Sequence, residues 1–411
     1  MLTSCFKSSR TMARYRSGLA GPYLDDFSRW LESRGYVRTR IRHHIRYVAH
    51  FGDWAREEGL TIKKCDQKSL NKLRSQLAKQ NSLRDRQGNH NPLYQSARVF
   101  VTFLEATGLV VALPIKAKTP ELLREFCEWM RVQRGTLDTT LTNYRLCIIS
   151  MLHSMGSEPK SYTAKKLREF LVRHTAHSRP AKSKNMATAL RMFLRFLIAQ
   201  GDCAAGLDHA IPTVAHWRLS SIPKYLPADD VERLIDSCDQ NLSLGARDRA
   251  MLLLIARLGL RASEVSKLKI SDLDWREGKL IVSGKNRTET KLPLPQGVGD
   301  AILHYLKHGR AQIASHYVFI TTTAPLVPIT SKSVSRAVFR ALRRTGISAP
   351  MKGSHLLRHS LATKMLRDGA ALASVGALLR HTSMQTTQVY AKVDFASLKE
   401  VAMPWPEVQS C

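Results

Sequence analysis

The chain has 411 residues, 44% of them hydrophobic, and carries 64 Lys and Arg against 33 Asp and Glu, a formal net charge of +31. That length is too great for one core and suits two or three domains, and no apolar run approaches the roughly 18–20 residues of a membrane span. Such a field favours a polyanion, with DNA or RNA as the first candidate. The excess is denser in front: residues 1–200 hold 36 basic and 15 acidic side chains, the remainder 28 and 18. The seven cysteines (5, 65, 127, 147, 203, 238 and 411) are odd in number and form no C-x-x-C pair. They read as buried or incidental thiols of a reducing cytoplasm, with neither zinc site nor disulfide frame.

In chain order, residues 1–20 are basic, Ser-rich and free of acid, which reads as a flexible basic arm. Residues 21–112 form a first helical domain, 118–207 a second, 208–226 a linker with Pro212 and Pro223, and 227–411 a third domain. The first two look like divergent copies. Phe27 and Trp30 correspond to Phe126 and Trp129, each pair followed by Arg-Gly (Arg34-Gly35, Arg134-Gly135). Phe100 and Phe103 correspond to Phe193 and Phe196. Helical spacing of Leu24, Phe27 and Leu31, and of Leu123, Phe126 and Met130, predicts bundles of about four helices with the aromatics in the core.

The third domain mixes elements. A helix starts near Ala228, with Asp229 and Asp230 at its positive end. A second runs from Arg247 to Leu258 and ends at Gly259, placing Arg261 just past its tip. Alternation over 279–295 predicts a hairpin turning at Gly284-Lys285-Asn286. Helices follow at 333–344, 355–367, 372–379 and 397–401. The expected class is therefore mainly α with a small β-hairpin or sheet in the last domain.

Six residues of this domain carry chemistry: Arg261, Lys285, His355, Arg358, His381 and Tyr390. Guanidinium groups suit the non-bridging oxygens of a phosphate in transfer, and the set also offers a nucleophile and proton donors. Together they are the groups needed to break and rejoin a phosphodiester without metal. Singly, each has a plainer reading. Arg261 is an arginine salt-bridged to Glu264, Lys285 a turn lysine with Arg287 and Lys291 as competitors, the histidines caps or core residues, and Tyr390 a packed helix aromatic. Those readings fail jointly, because all six would have to coincide in type, order and spacing.

The segments ARLGLRASEV from Ala256, VSGKNRTETKLPLP from Val282, SHLLRHSLATKML from Ser354 and LLRHTSMQTTQVYAKV from Leu378 resemble the tyrosine recombinase (phage integrase) family across the third domain. The second domain resembles the family's core-binding domain, and the first is an additional block. The resemblance implies that Tyr390 is the nucleophile, forming a 3′-phosphotyrosyl link. It implies that Arg261 and Arg358 neutralise the transition state, with Lys285 as general acid, His355 as proton acceptor and His381 as donor to a phosphoryl oxygen. Two departures stand out: Asn286 replaces a common second glycine, and Arg380 stands where a glycine often precedes the second histidine.

The expected activity is site-specific recombination or integration of double-stranded DNA by a homo- or hetero-tetramer, in the bacterial cytoplasm at the nucleoid. Neither cofactor nor metal nor ATP is expected: the chain has no P-loop and no carboxylate set for two metals. A topoisomerase-like relaxing enzyme and a catalytically silent DNA-binding accessory protein are the alternatives. Residues 395–401 are expected to dock on a neighbouring copy or to fold back on their own domain.

Overall fold

A computed structural model describes residues 6, 8–80, 91–111, 120–178, 180–214, 222–284, 289–381 and 383–393. Residues 1–112 and 221–411 form one compact unit, and 113–220 form the other.

In the first unit the front block comprises α1 (Ser9–Arg16), α2 (Leu24–Ser33), α3 (Arg38–Glu57), α4 (Gln67–Lys79) and α5 (Pro92–Ala106). The expected flexible arm thus carries a helix. Ser8 caps it by accepting the Thr11 N–H, and Phe6 and Tyr15 are buried edge-to-face against each other in the core of the block. Apolar burial by these two rings offsets the ordering entropy that a merely basic segment could not. Phe27, Phe100 and Phe103 are fully packed at the centre, with Trp30 partly buried beside them. The corner after α2 closes with Gly35 at φ +79°. There the Arg34 carbonyl accepts the N–H of Leu326 from the last domain, whose side chain lies where a Cβ on Gly35 would be. This contact joins two stretches that the sequence divides into separate domains.

The second unit is a bundle of α6 (Glu121–Arg134), α7 (Asp138–Met155), α8 (Ala164–Thr175) and α9 (Pro180–Ala199). Phe126 meets Phe193 edge-on with ring centroids 5.4 Å apart. The equivalent pair in the first block, Phe27 and Phe100, meets edge-on at 5.1 Å. Arg195 reaches the nearly buried Asp208 at 2.9 Å, tying a short 3₁₀ turn (Leu207–Ala210) to α9.

The last domain contains α10 (Ala228–Asp236), α11 (Ser243–Leu258) and α12 (Ala262–Lys267), then β1 (Leu273–Asp274), β2 (Lys279–Ser283) and β3 (Glu289–Pro293). These are followed by α13 (Gln296–His304), α14 (Ser331–Thr345), α15 (His355–Arg367), α16 (Leu372–Leu378) and α17 (Met384–Thr387), and the chain continues as a 3₁₀ turn, Gln388–Val393. The hairpin forms as the alternation predicts, β1-β2-β3 antiparallel with Leu280 opposite Leu292. Helix α11 is buried nearly all round, which explains its unbroken apolar run. Its one buried carboxylate, Asp248, accepts a bidentate pair of bonds from Arg340 of α14 and another from Arg247, so the charge does not stand alone. The predicted helix over 397–401 lies outside the described residues.

Candidate active site

The site is built where the ends of α11, α15 and α16 converge. Helix α11 stops because Gly259 takes φ +60°, and only glycine fits there: a Cβ would lie 2.6 Å from Leu379 Cδ2. The chain then turns at once into α12, with Arg261 as its N-cap residue. Arg358 rises from the first turn of α15 and is 4% exposed. Its guanidinium donates to the carbonyls of Gly259 and Leu379, stapling the approach to Arg261 to the approach to His381. A guanidinium has five N–H donors, so these two bonds leave others for a ligand. Burial and the charges of Arg261 and Arg380 lower its pKa to about 10, and it remains cationic at neutral pH.

Glu264 is the anionic centre of the cluster. Its side chain is 4% exposed. Oε2 accepts the backbone N–H of Arg261 at 2.8 Å and Nη2 of Arg380 at 2.9 Å, while Oε1 accepts Nη1 of Arg261 at 2.7 Å. The pairing with Arg261 anticipated from sequence is therefore present, joined by a second arginine that was not anticipated as a partner. Burial would raise the carboxyl's pKa, but the Arg261 backbone bond and the Arg380 and Arg261 charges outweigh it and lower it. Three arginines around one carboxylate leave a net charge of +2, the signature of an anion site.

Tyr390 is 2% exposed in the 3₁₀ turn, packed with Ala362, Leu366, Val375 and Leu379. Its hydroxyl lies 2.7 Å from Nδ1 of His359, with burial pushing the phenol up to about 12. Burial, His355 and Arg358 lower His359 to about 4, so the ring is neutral at pH 7, and in the tautomer protonated at Nε2 its Nδ1 lone pair can accept the hydroxyl proton. The tyrosine's partner is thus His359, where the resemblance pointed to His355. His355 lies one helical turn earlier, its ring centroid 6.3 Å from that of His359, and is open to solvent on one side. Partial burial and the charges of Arg358 and Arg261 lower its pKa. His359 had one signal in the sequence. It follows Arg358 directly and stands four residues after His355, hence on the same helix face.

His381 is the C″ residue of a Schellman turn that ends α16: its N–H donates to Gly376 and that of Arg380 to Ala377. Nδ1 lies 2.8 Å from the fully buried Thr387 hydroxyl, which leaves Nε2 as the ring nitrogen for a ligand. Burial, with Arg358 and Arg261 next, lowers it to about 4. Arg380 occupies the left-handed region at φ +52°, which costs a non-glycine residue about 1 kcal/mol. Lys285 and Asn286 lie outside the described residues; the strand pairing is described as far as Ser283 opposite Glu289. Among the described residues no group of three His, Cys, Asp or Glu forms that could hold a metal ion.

Residues 224–397 match the profile of the phage integrase family. A putative integrase/recombinase, y4rA of Sinorhizobium fredii, is 33% identical over 404 residues, covering 96% of this chain and 97% of that protein. Tyrosine recombinase XerD of Listeria innocua is 30% identical over 292 residues, 68% of this chain and 97% of its own length. Among solved structures, a XerH site-specific recombinase bound to a palindromic difH substrate matches with a TM-score of 0.55 at 22% identity, over 65% of this chain and 80% of that one. Lambda integrase bound as a dimer to a COC′ core site matches with a TM-score of 0.53 at 20% identity, over 70% and 98%. The fold and site define a tyrosine-based phosphoryl-transfer enzyme. The chain belongs to the phage integrase family, the tyrosine recombinases, which cut and rejoin DNA strands. The y4rA alignment spans so much of the chain that it includes the first helical block, whereas XerD matches only about two thirds.

Proposed function

We propose that this recombinase acts on double-stranded DNA through Tyr390, with His359 as the proton acceptor. The tyrosine oxygen attacks a phosphate, the bond from phosphorus to the 5′ oxygen breaks, and the phenol proton passes to Nδ1 of His359. Arg261 and Arg358 take the charge that develops on the non-bridging oxygens, and His381 donates to one of them through Nε2. The leaving 5′ oxygen receives its proton from Lys285, the role that the family resemblance gives it. A hydroxyl from a second strand then reverses the step, conserving the bond energy in the protein–DNA link. The observation that carries this reading is the neutral histidine bonded to a buried tyrosine hydroxyl, beside a cluster of three arginines and one carboxylate.

The first and second helical blocks, with most of the front-half charge on their surfaces, would grip the duplex on which the last domain acts. Because one tyrosine cuts one strand, exchange between two duplexes needs four protomers, identical or mixed. Among the described residues no helix is long and apolar enough to cross a membrane; work on cellular DNA would put the protein at the nucleoid, in the bacterial cytoplasm. A suicide substrate nicked near the scissile phosphate tests the reading. Wild type should accumulate a covalent complex and Tyr390→Phe none; equal trapping by both would sink it.

A further inference from the structure

We propose that Arg380 is a positioning residue for Arg261: by sharing the Glu264 carboxylate it keeps Arg261 available to the scissile phosphate. This rests on the recombinase reading above. Arg380 is the one non-glycine residue with positive φ among those described. At the end of α16 glycine would sit without strain, so the side chain present there calls for a compensating interaction. That side chain is 8% exposed and folds back into the protein rather than outward. Nη2 pairs with Glu264 Oε2 at 2.9 Å and Nη1 donates to the Leu378 carbonyl at 3.0 Å, with longer approaches to Leu258 and Gly259. Its own carbonyl accepts Nη2 of Arg261 at 3.3 Å. Apart from the local Leu378 bond, these contacts reach Arg261 itself or the segment that carries it.

The consequence concerns how Arg261 is held. A carboxylate facing a single guanidinium engages it through both oxygens and neutralises it. Here Oε2 is occupied by Arg380 and by the Arg261 backbone, so the Arg261 side chain meets Glu264 through Oε1 alone. Its side chain is 32% exposed, against 8% for Arg380. One arginine is thus buried as counter-charge and the other is left at the surface with donors to spare. Without Arg380, Glu264 would take Arg261 bidentately and withdraw charge from the phosphate site.

Arg380→Met removes the charge while keeping the volume and the backbone strain. Single-turnover cleavage of the nicked suicide substrate at saturating DNA should slow roughly 10-fold, with DNA affinity within about twofold, because the effect lies on the reacting phosphate. Arg380→Lys should cleave several-fold faster than Arg380→Met. Adding Glu264→Gln to Arg380→Met should recover much of the rate, since the carboxylate that captures Arg261 has gone; a purely structural role predicts a further loss instead. If Arg380→Met does not fold, the double variant is compared with wild type, and a deficit beyond about 10-fold overturns the proposal. Wild-type cleavage by Arg380→Met, or a double variant slower than the single one, overturns it too. A wild type that forms no Tyr390 adduct would instead remove the recombinase reading, and this inference with it.

Discussion

Phe27, Trp30, Phe100 and Phe103 in the first bundle meet one another much as Phe126, Trp129, Phe193 and Phe196 do in the second. The cluster around Glu264 follows another principle: the side chains of Arg358 and Arg380 and a carboxylate are buried, with Arg261 part-exposed beside them, all held by directed bonds. Aromatic cores tolerate divergence because volume and hydrophobicity are nearly all they require. A buried charge cluster does not, since removing one member leaves another unpaired. Substitutions in the bundles should therefore act through stability and leave the chemistry of folded molecules intact, while those in the pocket should change the chemistry of the molecules that do fold.

Tyr390→Phe is the strongest test of that division. It should abolish covalent trapping, by at least about 10³-fold, while the lost hydroxyl bond lowers stability by only about 1 kcal/mol, read by thermal melting. Phe126→Ala should act oppositely, destabilising the second bundle by roughly 3–5 kcal/mol with cleavage per folded molecule unchanged. A large chemical defect in Phe126→Ala would break the comparison.

Protonation sharpens the same contrast. His44 in the first bundle and His359 and His381 in the pocket are all lowered to about 4. Burial is the leading cause for each. Their unfolded forms titrate near 6.5, so between about 6.5 and 4 the unfolded chain binds more protons than the folded one. Stability from these groups is fully present above pH 6.5 and is lost as pH falls through 4. Removing His44 should reduce this acid sensitivity of melting without touching cleavage. His359→Gln should slow cleavage on the order of 10²-fold at neutral pH.

The smallest expected effect separates the two bundles themselves. Gly35 and Gly135 end matching Arg-Gly corners at φ +79° and +55°. A Cβ on Gly35 would overlap Leu326, whereas one on Gly135 meets nothing within 4 Å. Gly135→Ala should cost about 1 kcal/mol for its left-handed backbone, and Gly35→Ala measurably more. Equal melting shifts would mean that the Leu326 contact yields freely.

Periodicity and punctuation made much of the fold legible. The span of α15 matches the expected one residue for residue, the end of α11 at Gly259 follows from glycine's left-handed freedom, and the hairpin follows from alternation. Local rules suffice there because each feature depends on a few neighbours in the chain. The first helix was missed because its basic sequence hides two anchoring rings, Phe6 and Tyr15, whose value depends on the partners that bury them.

In the site, residue types and spacing singled out six candidate groups and anticipated Glu264 as partner of Arg261. They did not reveal that His359 rather than His355 meets the tyrosine, nor that Arg380 turns inward to the same carboxylate. Those pairings join residues 31 and 116 positions apart. Sequence by itself determined which groups and elements this protein has, because composition and short-range geometry act along the chain. Only the tertiary structure decided which groups touch, because hydrogen bonds and buried charges are fixed by distances that the chain sets only once it has folded.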